Sequence, residues 1–430
     1  MTRELHPSTA AELIDRLVAT IPSGADLVVP IANGEPVGLL DELERRAPDL
    51  RGVKVHQMHA LRDRPYLHGA HRGHLEHVSW FLSHVTRPAF HEGGCELAPA
   101  NFSEVPRFLM EKRPVAVLAA ASPPDRHGYF SLGVSADYAA ALIGRVPFIL
   151  EANASMPRTF GANRLHISDV AGWCEAEYPL VEQATPVVTD ADRAVAAFVA
   201  ERIPDGATVQ LGIGAIPAAV AHFLRDHRDL GVHTELLSTP LAELAMSGVV
   251  TGVHKKAQRG RMVTTFALGT AELYDFCDGN DAVLFLPVDD VADPRAVGRQ
   301  PRFRSVNATL EVDLFGQCAS ESLGTRYWSG SGGQADFARG AQYSEGGDGF
   351  VVLHSTTKDP DVSRIVPTLK PGAVVTTMKN TVDNVVTEHG VAELRGRTLA
   401  ERARALIAVA HPRHRDWLAR EATDMGLLRG

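Results

Sequence analysis

The spacing of apolar positions changes between residues 208 and 238. Val209, Leu211 and Ile213 alternate with Gln210 and Gly212, which predicts a strand entering a turn at Gly212 and Gly214. Pro217 suits the opening of a helix, and the helical stretch ends at the Asp–Leu–Gly turn of residues 229–231. VHTELLS then reads as a second strand carrying one carboxylate, Glu235, among short or apolar neighbours. The rest of the chain is organised around this unit of strand, glycine turn, helix and acid-bearing strand.

A similar pattern stands near the start. Thr9 and Glu12 form a capping-box signature ahead of an apolar stripe of Leu13, Ile14 and Leu17. DLVVPIA predicts a strand, Asn33 and Gly34 a turn, EPVGLLDELERRA a helix, and RGVKVHQMHA the next strand. IPSGADLVVPIANG at residues 21–34 matches IPDGATVQLGIGAI at 203–216, so the chain holds two similar halves. Matching the Gly–Val pairs at 52–53 and 231–232 sets His56 where Glu235 stands. The pattern predicts two related, facing α/β domains, one supplying the carboxylate and the other helping to close the site.

Between the repeats, RPVAVLAAASPPDRHGYFSLG and VPFILEANASMPRTFG each read as a buried strand ending in a polar turn. Asp125, His127, Glu151 and Asn153 are therefore candidates to line a pocket, beside ordinary turn chemistry. Thr189 and Asp192 cap a helix just after a junction near residue 185. His68, His71, His74 and His77 recur every third residue. Gly69 and Gly73 interrupt any helix there and no compact carboxylate or cysteine set accompanies them, so a solvated or interface face is expected and no metal site.

The second half continues as strands and helices through MVTTFALG, AELYDFCDG and AVLFLPVDD. Glu311 and Asp313 alternate in LEVDLFGQ, as paired acids on one face or as a polar face. The glycines of YWSGSGGQADFARGA permit close backbone approach, and Ser329 stands where a GxSxG nucleophile elbow needs glycine. VVLHSTTKD is a strand ending at Lys358, and an amphipathic helix broken at Pro412 closes the chain.

With 430 residues and 45% hydrophobic composition, the chain exceeds the ~250–300 residues at which single cores stop growing. Two domains are expected, 1–185 and 186–430, the second carrying Glu235. A net charge of −9 without a basic block argues against nucleic acid, and no run suits a membrane helix or signal peptide, which places the protein in the cytoplasm. The four cysteines lie far apart without a CxxC, as reduced thiols do. Two chemistries fit the central stretch. A dinucleotide site would use the glycine turn for pyrophosphate and the acid for ribose, although its third glycine is replaced by Pro217 and Ala218. Alternatively the turn offers amides to an oxyanion while Glu235 attacks a carbonyl. A packing turn with a paired acid is the third possibility.

SPPDRHGYFSLG and MPRTFG in the first half, then LGIGAIPAAV, HTELLS, FALGTAELYDF, LEVDLFGQ, SGSGGQADFARGA, SRIVPTLKPGAVVTT and VTEHGVAEL, together resemble the acetyl-CoA hydrolase/transferase family of class I CoA-transferases. The similarity is greatest to the 4-hydroxybutyrate and butyrate-type branch. The resemblance implies two tandem, similar open α/β domains and ping-pong transfer of CoA between carboxylic acids. It implies Glu235 as the catalytic glutamate, demoting Glu311, and oxyanion amides at Ile213 and Gly333. It places CoA-binding positions at Gly212, Ile213, Gly214, Ala215, Ile216, Ser329, Gly333 and Lys358. It implies no cofactor beyond coenzyme A, as substrate and covalent intermediate. The expected partners are acyl-CoA and carboxylate substrates in a homo-oligomer, with no nucleic acid and no membrane. Two departures stand out: Thr239–Pro240 where an Asp–Gly type turn is expected, and Ala319 where relatives can have Asn. An acyl-CoA hydrolase, an NAD(P)-binding protein and an inactive CoA-binding protein are the alternatives.

Overall fold

The structure, a computed structural model, describes residues 6–429. It divides into two compact units: the chain up to Gln183 together with Val263–Val291, and Ala184–Met262 together with the chain from Ala292 onward.

Among the described residues, the first unit is built on seven parallel strands. Their spatial order is Gly172–Ala176, Phe148–Asn153, Ala116–Ala121, Asp26–Val28, Val53–Gln57, Leu75–Ser79 and Glu96–Leu97. Every residue of Ala116–Ala121 is buried, the continuous apolar run expected of a parallel strand covered on both faces. Helix Ala10–Thr20 begins at the Thr9–Glu12 capping box and sends Leu13 and Ile14 into a core shared with Leu27, Leu39 and Val53.

Strand Phe148–Asn153 also buries two polar side chains, and both have local work. Glu151 accepts the Leu39 amide at 2.9 Å, at the start of helix Val37–Arg45, and the Tyr178 hydroxyl at 2.7 Å. A helix N-terminus favours an anion, while burial pushes this carboxyl's pKa upward. Gly38 leaves room for it, since a methyl group there would stand 2.8 Å from Glu151 Oε2. Asn153 bonds the backbone of Tyr178 on both sides, at 2.9 and 3.1 Å. Asp125 accepts the amides of His127 and Tyr129 and pairs with Arg164, while the His127 ring meets Arg126. These four pocket candidates are thus turn and packing residues, each satisfied nearby. The spaced histidines also find separate neighbours: His68 meets Asp63, His71 Glu44 and His74 the Leu50 carbonyl. His77 departs from the expected solvated face and is buried against Tyr66.

In the second unit the sheet order is Gly231–Val232, Thr208–Leu211, Phe303–Ala308, Asp348–Val352, Asn384–Thr387 and Gly390–Glu393. All neighbours are parallel except the last pair, an antiparallel hairpin. Thr189 and Asp192 cap helix Asp190–Ala200 reciprocally. The closing helix breaks as its sequence predicts, into Leu399–Val409 and Pro412–Asp424, with Leu406, Val409 and Leu418 packed on Val351, Leu353 and Val385.

Two expectations need correction. The second half is not one continuous stretch from residue 186, because Val263–Val291 packs with the first unit. There Val283–Phe285 pairs with Phe160–Gly161, and the Thr265 carbonyl accepts the Asp137 amide at 2.9 Å. The second correction concerns the repeat. Gly24 donates to the Arg51 carbonyl and Gly206 to Arg228, while Lys54 donates to Ala25 and Gly231 to Ala207. Arg51 therefore corresponds to Arg228, Lys54 to Gly231 and His56 to His233, which leaves Met58 at the place of Glu235. Matching the Gly–Val pairs displaces the halves by two residues. Val53 pairs with Leu75 on the far side, and its counterpart Leu230 likewise bridges Val250 in parallel.

Candidate active site

Chain order reverses in the second sheet between Thr208–Leu211 and Phe303–Ala308, and in open α/β sheets ligands bind beyond the carboxyl ends of the strands at such a switch point. The glycine turn lies there. Thr208–Leu211 is wholly buried, and below the turn Gln210 and Asn307 join the two strands by reciprocal amide bonds of 3.0 Å. Gly212 donates to the Val306 carbonyl, and a side chain on it would press within 3.0 Å of Asn307 Oδ1. Gly214 takes φ 129° and ψ 177°, a conformation that L side chains rarely adopt. Helix Ala215–Phe223 starts immediately after it, two residues before Pro217, where the sequence suggested the start. The amides of Ala215 and Ile216 fall in the first turn, which has no earlier intrahelical acceptors and favours anions. Ile213 is 43% exposed, in the turn and not in the strand.

Glu235 occupies a bend between Gly231–Val232 and Leu236–Leu237, so VHTELLS is two short strands and not one. The bend is pinned from several sides. His233 donates its amide to Val209, the buried Thr234 hydroxyl donates to Leu236, and the Lys255 ammonium donates to the Val232 carbonyl at 2.9 Å. Thr239–Pro240 begins helix Thr239–Met246, where proline is tolerated in the first turn because its missing N–H has no partner to lose.

Opposite the bend stands the loop that leads into helix Gln334–Tyr343, where Gly333 lies against the Glu235 carboxyl and its amide favours the charged form. A methyl group on Gly333 would collide with Oε2 and lie 3.0 Å from Cδ. With φ −95° and ψ 4°, the backbone itself does not require glycine. The closeness of Glu235 does. Residue 235 is partly exposed, yet its Oε2 is buried. Desolvation first, and the nearby Asp336 second, push its pKa up to about 8, against the lowering effect of the Gly333 amide.

The second unit thus carries a glycine turn at a switch point and a carboxyl packed against a glycine. Residues 10–199 match the N-terminal domain of the acetyl-CoA hydrolase/transferase family and residues 269–422 its C-terminal domain. The chain belongs to the acetyl-CoA hydrolase/transferase family. It is 44% identical to the succinyl-CoA:cyclohexane-1-carboxylate CoA transferase of Geobacter metallireducens, over 95% of this chain and 93% of the relative. It is 41% identical to the 4-hydroxybutyrate coenzyme A transferase of Clostridium kluyveri, over 95% and 96%. The crystal structure of RipA from Yersinia pestis superposes with a TM-score of 0.92 at 36% identity, covering 98% of both chains. The chain is an enzyme, a CoA-transferase, with the α/β architecture of that family. The activity named for these relatives is CoA transfer and not dinucleotide chemistry.

The remaining expected positions of this CoA-transferase are less concentrated. Ser329 is buried, its hydroxyl donating to the Gly330 carbonyl at 3.1 Å and its amide to Glu321. Lys358 is exposed, beyond the end of strand Asp348–Val352, so VVLHSTTKD is not strand throughout. Glu311 and Asp313 are both buried: Glu311 accepts the Lys370 amide and pairs with its ammonium, while Asp313 accepts the amides of Phe315 and Gln317. They hold turns, in place of the polar or paired-acid face expected of them. Ala319 is buried on Cys318–Ala319. A cavity of about 260 Å³ opens beside helix Ala215–Phe223, lined by Ala218, His222, Phe223, Pro240 and Glu243 among others, and it touches neither Glu235 nor Gly333.

Sequence reasoning passed over Gln210, Asn307, Asp336 and Glu321. Gln210 and Asn307 carried a signal as lone amides in strands of apolar alternation, but only the sheet order makes them neighbours. Asp336 and Glu321 carried no such signal.

Proposed function

We propose that this enzyme transfers coenzyme A from a short-chain acyl-CoA to a carboxylate by a ping-pong route through a γ-glutamyl-CoA thioester on Glu235. One observation carries the reading: the Glu235 carboxyl is held against the Gly333 amide. In the first step a Glu235 oxygen attacks the thioester carbonyl, the C–S bond breaks, and CoA thiolate leaves an acyl–glutamyl anhydride. The thiolate then attacks Glu235 Cδ and expels the first acid as its carboxylate. An incoming carboxylate attacks the glutamyl thioester, releases thiolate and forms a new anhydride. The thiolate takes the acyl group from that anhydride and restores the Glu235 carboxylate. Water enters no step, so the thioester energy is retained.

Gly333, packed against the Glu235 carboxyl in the resting protein, is already beside the oxygen that becomes an oxyanion when Cδ is attacked. The Ile213 amide is the donor proposed for the substrate carbonyl, and losing one such donor typically costs about 3–4 kcal/mol. The glycine turn, with Ser329 and Lys358, would bind CoA. Electrostatics within the second unit support the nucleophile, since a desolvated carboxylate is more reactive than a hydrated one. The substrate range is proposed to include 4-hydroxybutyryl-CoA, in line with the name of the Clostridium kluyveri relative, and also butyryl-, propionyl- or acetyl-CoA.

The test is intact-protein mass spectrometry after adding acyl-CoA without an acceptor, followed by peptide mapping. A CoA adduct on the peptide containing Glu235 is expected, and an adduct on Glu311 or a cysteine would overturn the assignment. Release of free acid and CoA at full rate without an acceptor would instead make the enzyme a hydrolase.

A further inference from the structure

The loop that presents Gly333 is rich in glycine, with Gly330, Gly332 and Gly333 in four residues, and Gly332 sits at φ 55°. Such a loop has much conformational freedom, whereas a catalytic amide must be held within about 0.5 Å of its working position. The loop's own side chains cannot supply that order alone.

The order comes from Glu321, which is 3% exposed. Its carboxylate accepts the Ser331 hydroxyl, at 3.3 and 3.4 Å, and the Thr376 hydroxyl at 3.0 Å. Its backbone carbonyl accepts the amides of Trp328 at 2.7 Å and Ser329 at 3.3 Å. Thr376 is gripped in turn by the amides of Ser320 and Glu321. The next residue, Thr377, accepts the Gln334 side-chain amide at 3.1 Å and bonds the Cys318 backbone in both directions. The loop is thus fastened two residues before Gly333 and one residue after it, to a single strip of backbone. Burying a carboxylate is costly unless its hydrogen bonds are made, and this one spends its bonds on the loop.

We infer that Glu321 is a positioning residue for the Gly333 amide, acting through Ser331 and Trp328–Ser329 on one side and through Thr376, Thr377 and Gln334 on the other. The inference rests on the proposed role of Glu235 as nucleophile. It assigns to Glu321 no contact with substrate. Its effect is on the geometry in which Glu235 reacts.

The experiment uses the full chain and follows adduct formation with acetyl-CoA by rapid quench and intact mass, with steady-state kcat and KM and the melting temperature. Ser331→Ala removes one small hydroxyl, and the Thr376→Ser and Thr376→Val pair keeps or removes the other. Ser331→Ala and Thr376→Val are expected to slow adduct formation and kcat by on the order of 10- to 100-fold, with KM for acetyl-CoA held within about twofold. Thr376→Ser should retain the wild-type rate. Ser331→Ala reacting at the wild-type rate, or Thr376→Val reacting as fast as Thr376→Ser, would overturn the inference while leaving the Glu235 mechanism intact. Absence of any Glu235 adduct in the wild type would overturn both.

Discussion

The two copies of the strand, turn and helix unit differ in what their turns do with backbone. In the first unit residues 31–35 are closed by side chains. Asn33 bonds the Val181 backbone in both directions and the Tyr274 hydroxyl, while Glu35 accepts the Gln57 side chain, the Leu61 amide and Arg62. In the second unit the corresponding residues are Ile213, Gly214, Ala215, Ile216 and Pro217, none with a polar side chain. At the end of the neighbouring strand the first unit has Met58, 2% exposed, and the second has Glu235. One framework has been made into packing in one place and, on the proposed reading, into a reactive site in the other. The difference lies in a handful of residues beyond the strands, as expected when function is carried by loops on a rigid scaffold.

The largest effect should come from erasing that difference. Glu235→Met installs the residue of the first unit, keeps an apolar chain of similar length, and removes the carboxylate. CoA transfer and the CoA adduct should both vanish while the protein stays folded by circular dichroism. Glu235→Asp withdraws the carboxylate by one methylene and should cost on the order of 100-fold in kcat, because a misplacement of about 1 Å has that effect. Measurable transfer by Glu235→Met would end the comparison.

Next in size is Gly333→Ala. The backbone there tolerates a side chain, so a loss traces to the contact with Glu235. The methyl group must displace the carboxyl from its amide donor, and a fall in kcat of on the order of 10²- to 10³-fold is expected, the range for losing one oxyanion donor. Kinetics close to wild type would show that the Gly333 amide is not used.

The third prediction concerns pH. Glu235 attacks only as a carboxylate, and its folded pKa is raised, to about 8. The rate of adduct formation should therefore rise with pH and level off above that value, and not at the ordinary carboxylate range. Asp336 raises that pKa by like-charge repulsion, so Asp336→Asn should move the midpoint toward acid. A midpoint unmoved by Asp336→Asn would leave desolvation as the sole cause.

Much of this was legible in the chain. The Thr9–Glu12 and Thr189–Asp192 capping boxes and the Pro412 break depend on nearest neighbours along the sequence, and each is where its pattern says. What escaped depends on neighbours across space. The two-residue displacement of the repeat shows only in which residues pair across the strands, and the return of Val263–Val291 to the first unit goes with its pairing to Phe160–Gly161. Glu151 resembled a pocket acid because no local pattern reveals that a helix begins against it. Gly333 was placed by resemblance. Its reason, the carboxyl of a residue about a hundred positions earlier, appears only in the fold.

The smallest effect should come from Lys358. If the second unit binds CoA mainly through the backbone of its open turn, a charged side chain contributes little beyond attraction for phosphate. Lys358 is exposed, and ion pairs at exposed positions are worth roughly 0.2–1 kcal/mol. Lys358→Ala should therefore raise KM for acyl-CoA by only about 1.5- to 5-fold at low salt and leave kcat unchanged, the signature of lost uniform binding. Because exposed charges are screened with a Debye length of ~10 Å at 0.1 M and ~3 Å at 1 M, the difference between variant and wild type should shrink as salt is added. Gly214→Ala is the counterpart in the turn, where strain at φ 129° disturbs the backbone itself and should persist at high salt. A KM unchanged in Lys358→Ala at low salt removes that lysine from the CoA site. A rise of 100-fold or more would mean that charge, and not the open backbone, distinguishes the second unit as the CoA-binding half.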